Sequence, residues 1–170
     1  LSNINKQIAL LNVGEKVEVL TDNRGREVTT GTKRNSLLER SKGKYVWQVD
    51  DDDFISPEYV DSILTALESK PDCVGFKIEC TTNGGSPESA ITSLRYPAWG
   101  DNQDGFRFVR SIYHKSVHRR DVGLKVGFPD LRYCEDRPYS EGIMKHLKTE
   151  VFIDKVLYFY RYRSENFAVK

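Results

Sequence analysis

The sequence lacks any run approaching ~20 consecutive apolar residues, so no helix in it is expected to cross a bilayer. It lacks a charge of one sign: 26 Lys and Arg against 25 Asp and Glu leave a net charge of +1. That balance excludes a general polyelectrolyte attraction to nucleic acid or to a membrane surface. Cysteine is scarce and odd in number, with Cys73, Cys80 and Cys134 at spacings that suit no metal site. Reduced, mostly buried thiols in a cytoplasmic setting are the expectation, and no secretory leader pattern occurs in the chain. The one methionine is not at the start; the chain opens at Leu1 in mid-pattern, as a fragment would. Internal repeats and long low-complexity segments are missing too, and 170 residues suffice for one domain with a real core.

What is present centres on residues 44–55, where Lys-Tyr-Val-Trp-Gln-Val leads into four consecutive carboxylates, Asp50 to Asp53. Four adjacent like charges repel, and a hard divalent cation relieves the repulsion because it prefers carboxylate oxygens. A solvated acidic loop is the alternative. The position argues for chemistry: the run follows a β-prone stretch, Tyr45–Val49, and ligands bind at the carboxyl ends of strands in open α/β sheets.

In chain order, Ile4, Ile8 and Leu11 predict a helix stopped by Gly14, and 17–20 predicts a strand ending at Asp22. Thr30 or Thr32 is placed to cap a helix with Leu37 and Leu38 inward and Gly43 at its end. Lys33 and Arg34 then fall at the helix start, where the dipole disfavours cations; a bound phosphate would account for them, and solvated surface residues are the alternative. Ser56-Pro57-Glu58 opens a helix carrying Val60, Ile63, Leu64 and Leu67. Strands are predicted near 74–80, 91–96, 106–109 and 151–162, with a short helix at 121–126. His114 to Arg120 is rich in basic residues and could line an anion site. Glu135-Asp136 precedes a helix over 138–147, where acidic residues complement the dipole whatever else they do.

Five pieces therefore fall in one order: Asp22, Gly31-Thr-Lys33-Arg34-Asn35, Val49-Asp50-Asp-Asp-Asp53, Glu135-Asp136 and Tyr160-Arg161-Tyr162. This order resembles family 2 glycosyltransferases of the GT-A fold, well over 1–70 and more loosely over 106–163. The resemblance implies an α/β fold with a Rossmann-like nucleotide-binding half and a mixed central sheet flanked by helices. It implies one domain over 1–170, with 1–70 the nucleotide-sugar half and 71–170 the acceptor and catalytic half. The family opens with a β-strand, and this chain begins in the helix that would follow it, so an N-terminally truncated domain is the expectation.

Carried over by position, Asp22, Lys33, Arg34, Asp50 and Asp51 are the implied donor-binding residues. Asp52 is the implied metal contact, with Asp50 and Asp53 beside it, for Mn²⁺ or Mg²⁺; His114, His118 and His146 are candidates for a further ligand. Asp136 is the implied general base, with Glu135 its neighbour. The implied reaction is metal-dependent, inverting transfer of a sugar from a UDP- or GDP-sugar to an acceptor hydroxyl. Two other classes stay open on the residues themselves: a nucleotidyltransferase on a related scaffold, and a non-catalytic metal-binding interaction module. Calcium-type loops alternate their Asp ligands around a Gly turn, which 50–53 does not do.

Overall fold

The computed structural model describes residues 2–164. Helix α1 (Ser2–Leu11) turns Ile4 and Ile8 toward the core. It stops at Asn12 (φ 52), where the amides of Asn12 and Val13 close on the carbonyls of Ala9 and Ile8. The stop expected at Gly14 therefore comes earlier, on the other residue type that tolerates a left-handed backbone. Helix α2 (Thr30–Arg40) is capped by Thr29, whose hydroxyl accepts from the Thr32 amide. Helix α3 (Tyr59–Leu67) begins after the expected Pro57, and Glu58 at its N-cap makes no side-chain capping bond, its carboxylate pairing with Lys155 instead. Buried Gln7 of α1 supplies the cap instead: its Oε1 accepts from Val60 N at 2.9 Å while its Nε2 donates to Ser56 O at 2.8 Å.

One mixed sheet of eight strands forms the centre: β1 (Tyr45–Val46), β2 (Phe54–Ile55), β3 (Cys73–Thr82), β4 (Glu88–Thr92), β5 (Gly100–Gln103), β6 (Phe106–Arg110), β7 (Val117–Arg119) and β8 (Glu150–Tyr162). The order is β1-β7-β3-β4-β6-β5, while β8 runs parallel to β3 along its other side and carries β2 beyond it. Val74, Phe76 and Ile78 of β3 are buried, as the alternation predicts for one face. Helices α4 (Arg120–Val126) and α5 (Asp136–Met144) meet α2 over a second core of Leu38, Val122, Tyr139 and Ile143. This is the α/β architecture expected, a mixed sheet flanked by helices.

Three predicted strands differ: that at 91–96 lies earlier, as β4, and gives way to a turn at Leu94 and Arg95. Residues 17–20 form none, because no strand among the described residues lies alongside them, and β-prone residues need a ladder partner. Only Tyr45 and Val46 of the expected 45–49 strand pair regularly, with β7 in antiparallel register; beyond them Gln48 N still donates to His114 O at 2.8 Å. Cys134 is exposed rather than buried. No helix among the described residues is long and apolar enough to cross a membrane.

Candidate active site

Residues 50–53 form a tight turn between β1 and β2, closed by Asp53 N donating to Asp50 O at 3.2 Å. The turn points its first and last carboxylates inward. Lys115, in the loop before β7, places its ammonium between them, bonded to Asp50 Oδ2 and to Asp53 Oδ2 at 2.6 Å. Tyr158 of β8 completes the knot: its hydroxyl donates to Asp53 Oδ2 at 2.7 Å and accepts from Lys115 Nζ at 3.0 Å. The Lys115 ammonium also lies 4.7 and 4.9 Å from the ring centroids of Tyr158 and Tyr160. Asp53 has no exposed side-chain surface, and Arg161 N donates to its other oxygen at 2.9 Å. Burying such charges is tolerable only because each is paired and hydrogen-bonded.

Arg34 extends this cluster across the molecule. Its guanidinium donates to Asp50 Oδ1 at 2.9 Å, to Gln48 Oε1 at 2.8 Å and to Glu135 Oε1 at 2.8 Å. Three fixed donors on one planar group suit this clasp as no ammonium would. Burial works against the charge of Asp50, but Lys115 and then Arg34 more than offset it and hold its carboxyl well below the usual range. Glu135 sits at the N-cap of α5 without capping it, its buried carboxylate turned to Arg34 instead. Asp136, in the first turn of α5, is half-buried; burial and then the charge of Glu135 push its carboxyl upward, with Arg34 opposing. The arrangement leaves a carboxylate of heightened basicity beside a clasped one.

The remaining implied residues are placed differently. Asp52 is largely exposed, and its carboxyl is pushed up, first by partial burial and then by Asp53 and Asp50. Asp51 is exposed beside it. Among the described residues no three His, Cys, Asp or Glu side chains converge as a ready-made metal cage. Lys33 donates to Arg24 O, and the amides of Gly31, Thr32 and Lys33 have acceptors in Leu131 O, Thr29 Oγ1 and Thr29 O. These three amides of the first turn of α2 are thus bonded within the protein. Asp22 pairs with Arg24 two residues on, which holds its carboxyl down to about 2, and it makes no contact with the Asp50 cluster.

The basic stretch 114–120 does not gather around an anion. Lys115 faces carboxylates, Arg119 pairs with Asp72 and Asp121, and His118 is buried. His118 Nδ1 lies 2.9 Å from Ser116 O; a carbonyl only accepts, so Nδ1 carries the proton and Nε2 accepts from Tyr139 at 2.6 Å. His114 is buried with its Nε2 3.7 Å from Asp50 Oδ2, too long for a hydrogen bond. Burial and then Arg34 lower its pKa to about 3, so it is neutral at pH 7. His146 lies in the turn after α5.

Gln48, Lys115 and Tyr158 are the site residues that pattern reading missed. Lys115 belongs to the basic stretch 114–120, and its further signal is the apolar and aromatic run just before it, Ile112-Tyr113-His114. A cavity of about 580 Å³ lined by Lys77, Ile91, Phe106 and Phe152 shares no residue with this cluster.

The sequence model of glycosyl transferase family 2 matches residues 4–121. Among solved structures, Staphylococcus aureus TarS is similar at a TM-score of 0.58 and 19% identity, over 82% of this chain and 25% of that one. TarS 1–349 in complex with UDP-GlcNAc is similar at 0.59 and 20%, over 94% of this chain and 46% of that one. At these identities the likeness concerns the fold, and the chain spans less than half the length of either structure. No curated protein matches.

Proposed function

The chain belongs to glycosyl transferase family 2, and on that premise we propose that it transfers a sugar from a nucleotide-sugar donor to an acceptor hydroxyl, with inversion at the anomeric carbon. The observation that carries this reading is the joining of two acidic segments 85 positions apart, Asp50 and Glu135-Asp136, through the single guanidinium of Arg34. Helix-start preference explains Glu135 and Asp136 separately from the Asp run, but not their meeting. A uridine nucleotide is the first donor to try, because a structural neighbour binds UDP-GlcNAc.

Asp136 is the proposed general base. Its half-buried carboxylate, made more basic by burial and by Glu135, accepts the proton of the attacking hydroxyl. Arg34 keeps Glu135 turned away from that reaction. Lys115 occupies the space between Asp50 and Asp53, so those two carboxylates are the weaker candidates for metal ligation, and Asp52 keeps the role that the family resemblance implies. Asp52, with Asp51 nearby, fits a hard Mn²⁺ or Mg²⁺ ion that takes its other ligands from diphosphate and water, the usual mode for such ions. When bound there, the ion would neutralise the leaving diphosphate as a Lewis acid.

The test is release of UDP from UDP-GlcNAc with Mn²⁺, alongside calorimetric binding of UDP. Asp136→Asn is expected to lower kcat by about 10²–10⁴-fold with UDP affinity nearly unchanged, since the lost interaction exists only at the reacting hydroxyl. Near-normal turnover in that variant sinks the base assignment. A rise in melting temperature with Mn²⁺ plus UDP that survives Asp52→Ala removes the metal from Asp52.

A further inference from the structure

The motif Gly31-Thr-Lys-Arg-Asn35 has a use that donor binding does not absorb. Asn35, half-buried in α2, holds the backbone of Phe128 from both sides: its Nδ2 donates to Phe128 O at 2.9 Å and its Oδ1 accepts from Phe128 N at 2.8 Å. Gly31 N donates to Leu131 O at 2.9 Å, and Thr30 Oγ1 donates to Arg132 O at 2.8 Å. The hydroxyls of Thr29 and Thr32 both bond Asp130 Oδ1. Gly31 shows how close the approach is: a Cβ there would lie 1.9 Å from Pro129 O, a distance no side chain tolerates. The segment so gripped, 128–132, runs through Cys134 (φ 61) straight into Glu135 and Asp136. At its other end Phe128 stacks on Tyr139 of α5, ring centroids 3.7 Å apart and planes 13° from parallel. The segment is therefore tied to α2 along its length and to α5 beyond the base.

We propose that Asn35 and Gly31 are positioning residues for the reaction: by clamping segment 128–132 to α2 they hold Asp136 at a set place relative to the Asp50 turn. This rests on the reading of Asp136 as the base. Neither residue need touch donor or acceptor. A shift of about 1 Å at a reacting group costs on the order of 10²-fold in rate, so a clamp remote from the chemistry still governs it.

The test compares wild type with Asn35→Ala and with Thr30→Val, a near-isosteric change at a half-buried position that keeps the protein folded if Asn35→Ala does not. Three quantities are read: turnover of UDP-GlcNAc with Mn²⁺, affinity for UDP alone, and amide hydrogen exchange. Asn35→Ala is expected to lower kcat by about 10–100-fold while UDP affinity stays within about threefold. Exchange should quicken across 128–137 and stay unchanged in α3 and β3; Thr30→Val should show the same pattern, smaller. Wild-type turnover in both variants, or equal proportional losses of turnover and UDP affinity, overturns the proposal. If wild type itself releases no UDP from UDP-GlcNAc, the donor reading has failed and exchange alone decides. Quickening at 128–137 in Asn35→Ala then upholds the clamp, and unchanged exchange there overturns it.

Discussion

Residues 17–24 and 45–53 are alike as sequences. Each is a short β-prone run ending in an acidic tip, Val-Glu-Val-Leu-Thr-Asp22 and Tyr-Val-Trp-Gln-Val-Asp50. In the structure they part company. The second run is anchored by β7, by the carbonyl of His114 and by the Tyr158 hydroxyl, which accepts from Asp50 N at 3.1 Å. Its Asp50 is held by cations 16 and 65 positions away, both largely buried. The first run has no ladder, and its half-buried Asp22 pairs only locally, with the exposed Arg24 two residues on. The lesson is that an aspartate at a strand end becomes part of a rigid site only when distant segments close over it. A local pair whose cation stays in water is screened and ties no distant segment to the site.

The largest break in this contrast should come from Lys115. Lys115→Met leaves Asp50 and Asp53 facing each other without their shared cation, and removing one partner of a buried ion cluster typically costs about 3–5 kcal/mol. Chemical denaturation should show that loss, together with a depressed melting temperature. A change within error would mean that water replaces the ammonium freely.

A subtler break separates the clasped carboxylate from the reactive one. As a base, Asp136 must be ionised, so turnover should rise with pH through a midpoint above the ordinary carboxylate range, the direction that its burial and Glu135 impose. Glu135→Gln removes the negative neighbour while Arg34 stays, so the acid limb should move to lower pH. A pH–kcat/KM profile checks this; a limb that stays in place or moves upward contradicts the assigned cause. The smallest effect should come from Asp22→Asn, which is expected to leave the melting temperature and the acid limb where they are. If it instead weakens UDP binding tenfold or more, Asp22 reaches the nucleotide and the two runs are functionally closer than their contacts indicate.

Much of the fold was legible because it follows from local periodicity. Helices α1, α2 and α3 stand close to where apolar spacing put them, and β3, β6 and β8 match the alternating or aromatic runs. Boundaries moved where a tertiary partner took over a local role. Gln7 capping α3 is one case, since nothing near Glu58 announces a cap from 50 residues upstream. Strand 17–20 is the opposite case, a good local pattern without a neighbour.

By itself, the sequence determined the helix stripes, the acidic turn at the end of a β-prone run, and an ordered set of motifs specific enough to indicate the family. The stripes, the turn and each single motif depend on residues within a few positions of one another, where side-chain period and charge density act directly, and the family signal adds only their order along the chain. Tertiary structure alone decided which charges meet. Arg34 could have faced a phosphate or solvent; packing α2 against the segment before α5 put it between Asp50 and Glu135. Lys115 carries no mark of which carboxylates it meets, because an ammonium 65 positions from a carboxylate becomes its partner only once β7 and β8 set their spacing around β3. Burial then makes such meetings consequential: out of water, an ion pair is strongly coupled and an unpaired charge is intolerable, so the chain's choice of partners settles each group's protonation and reach.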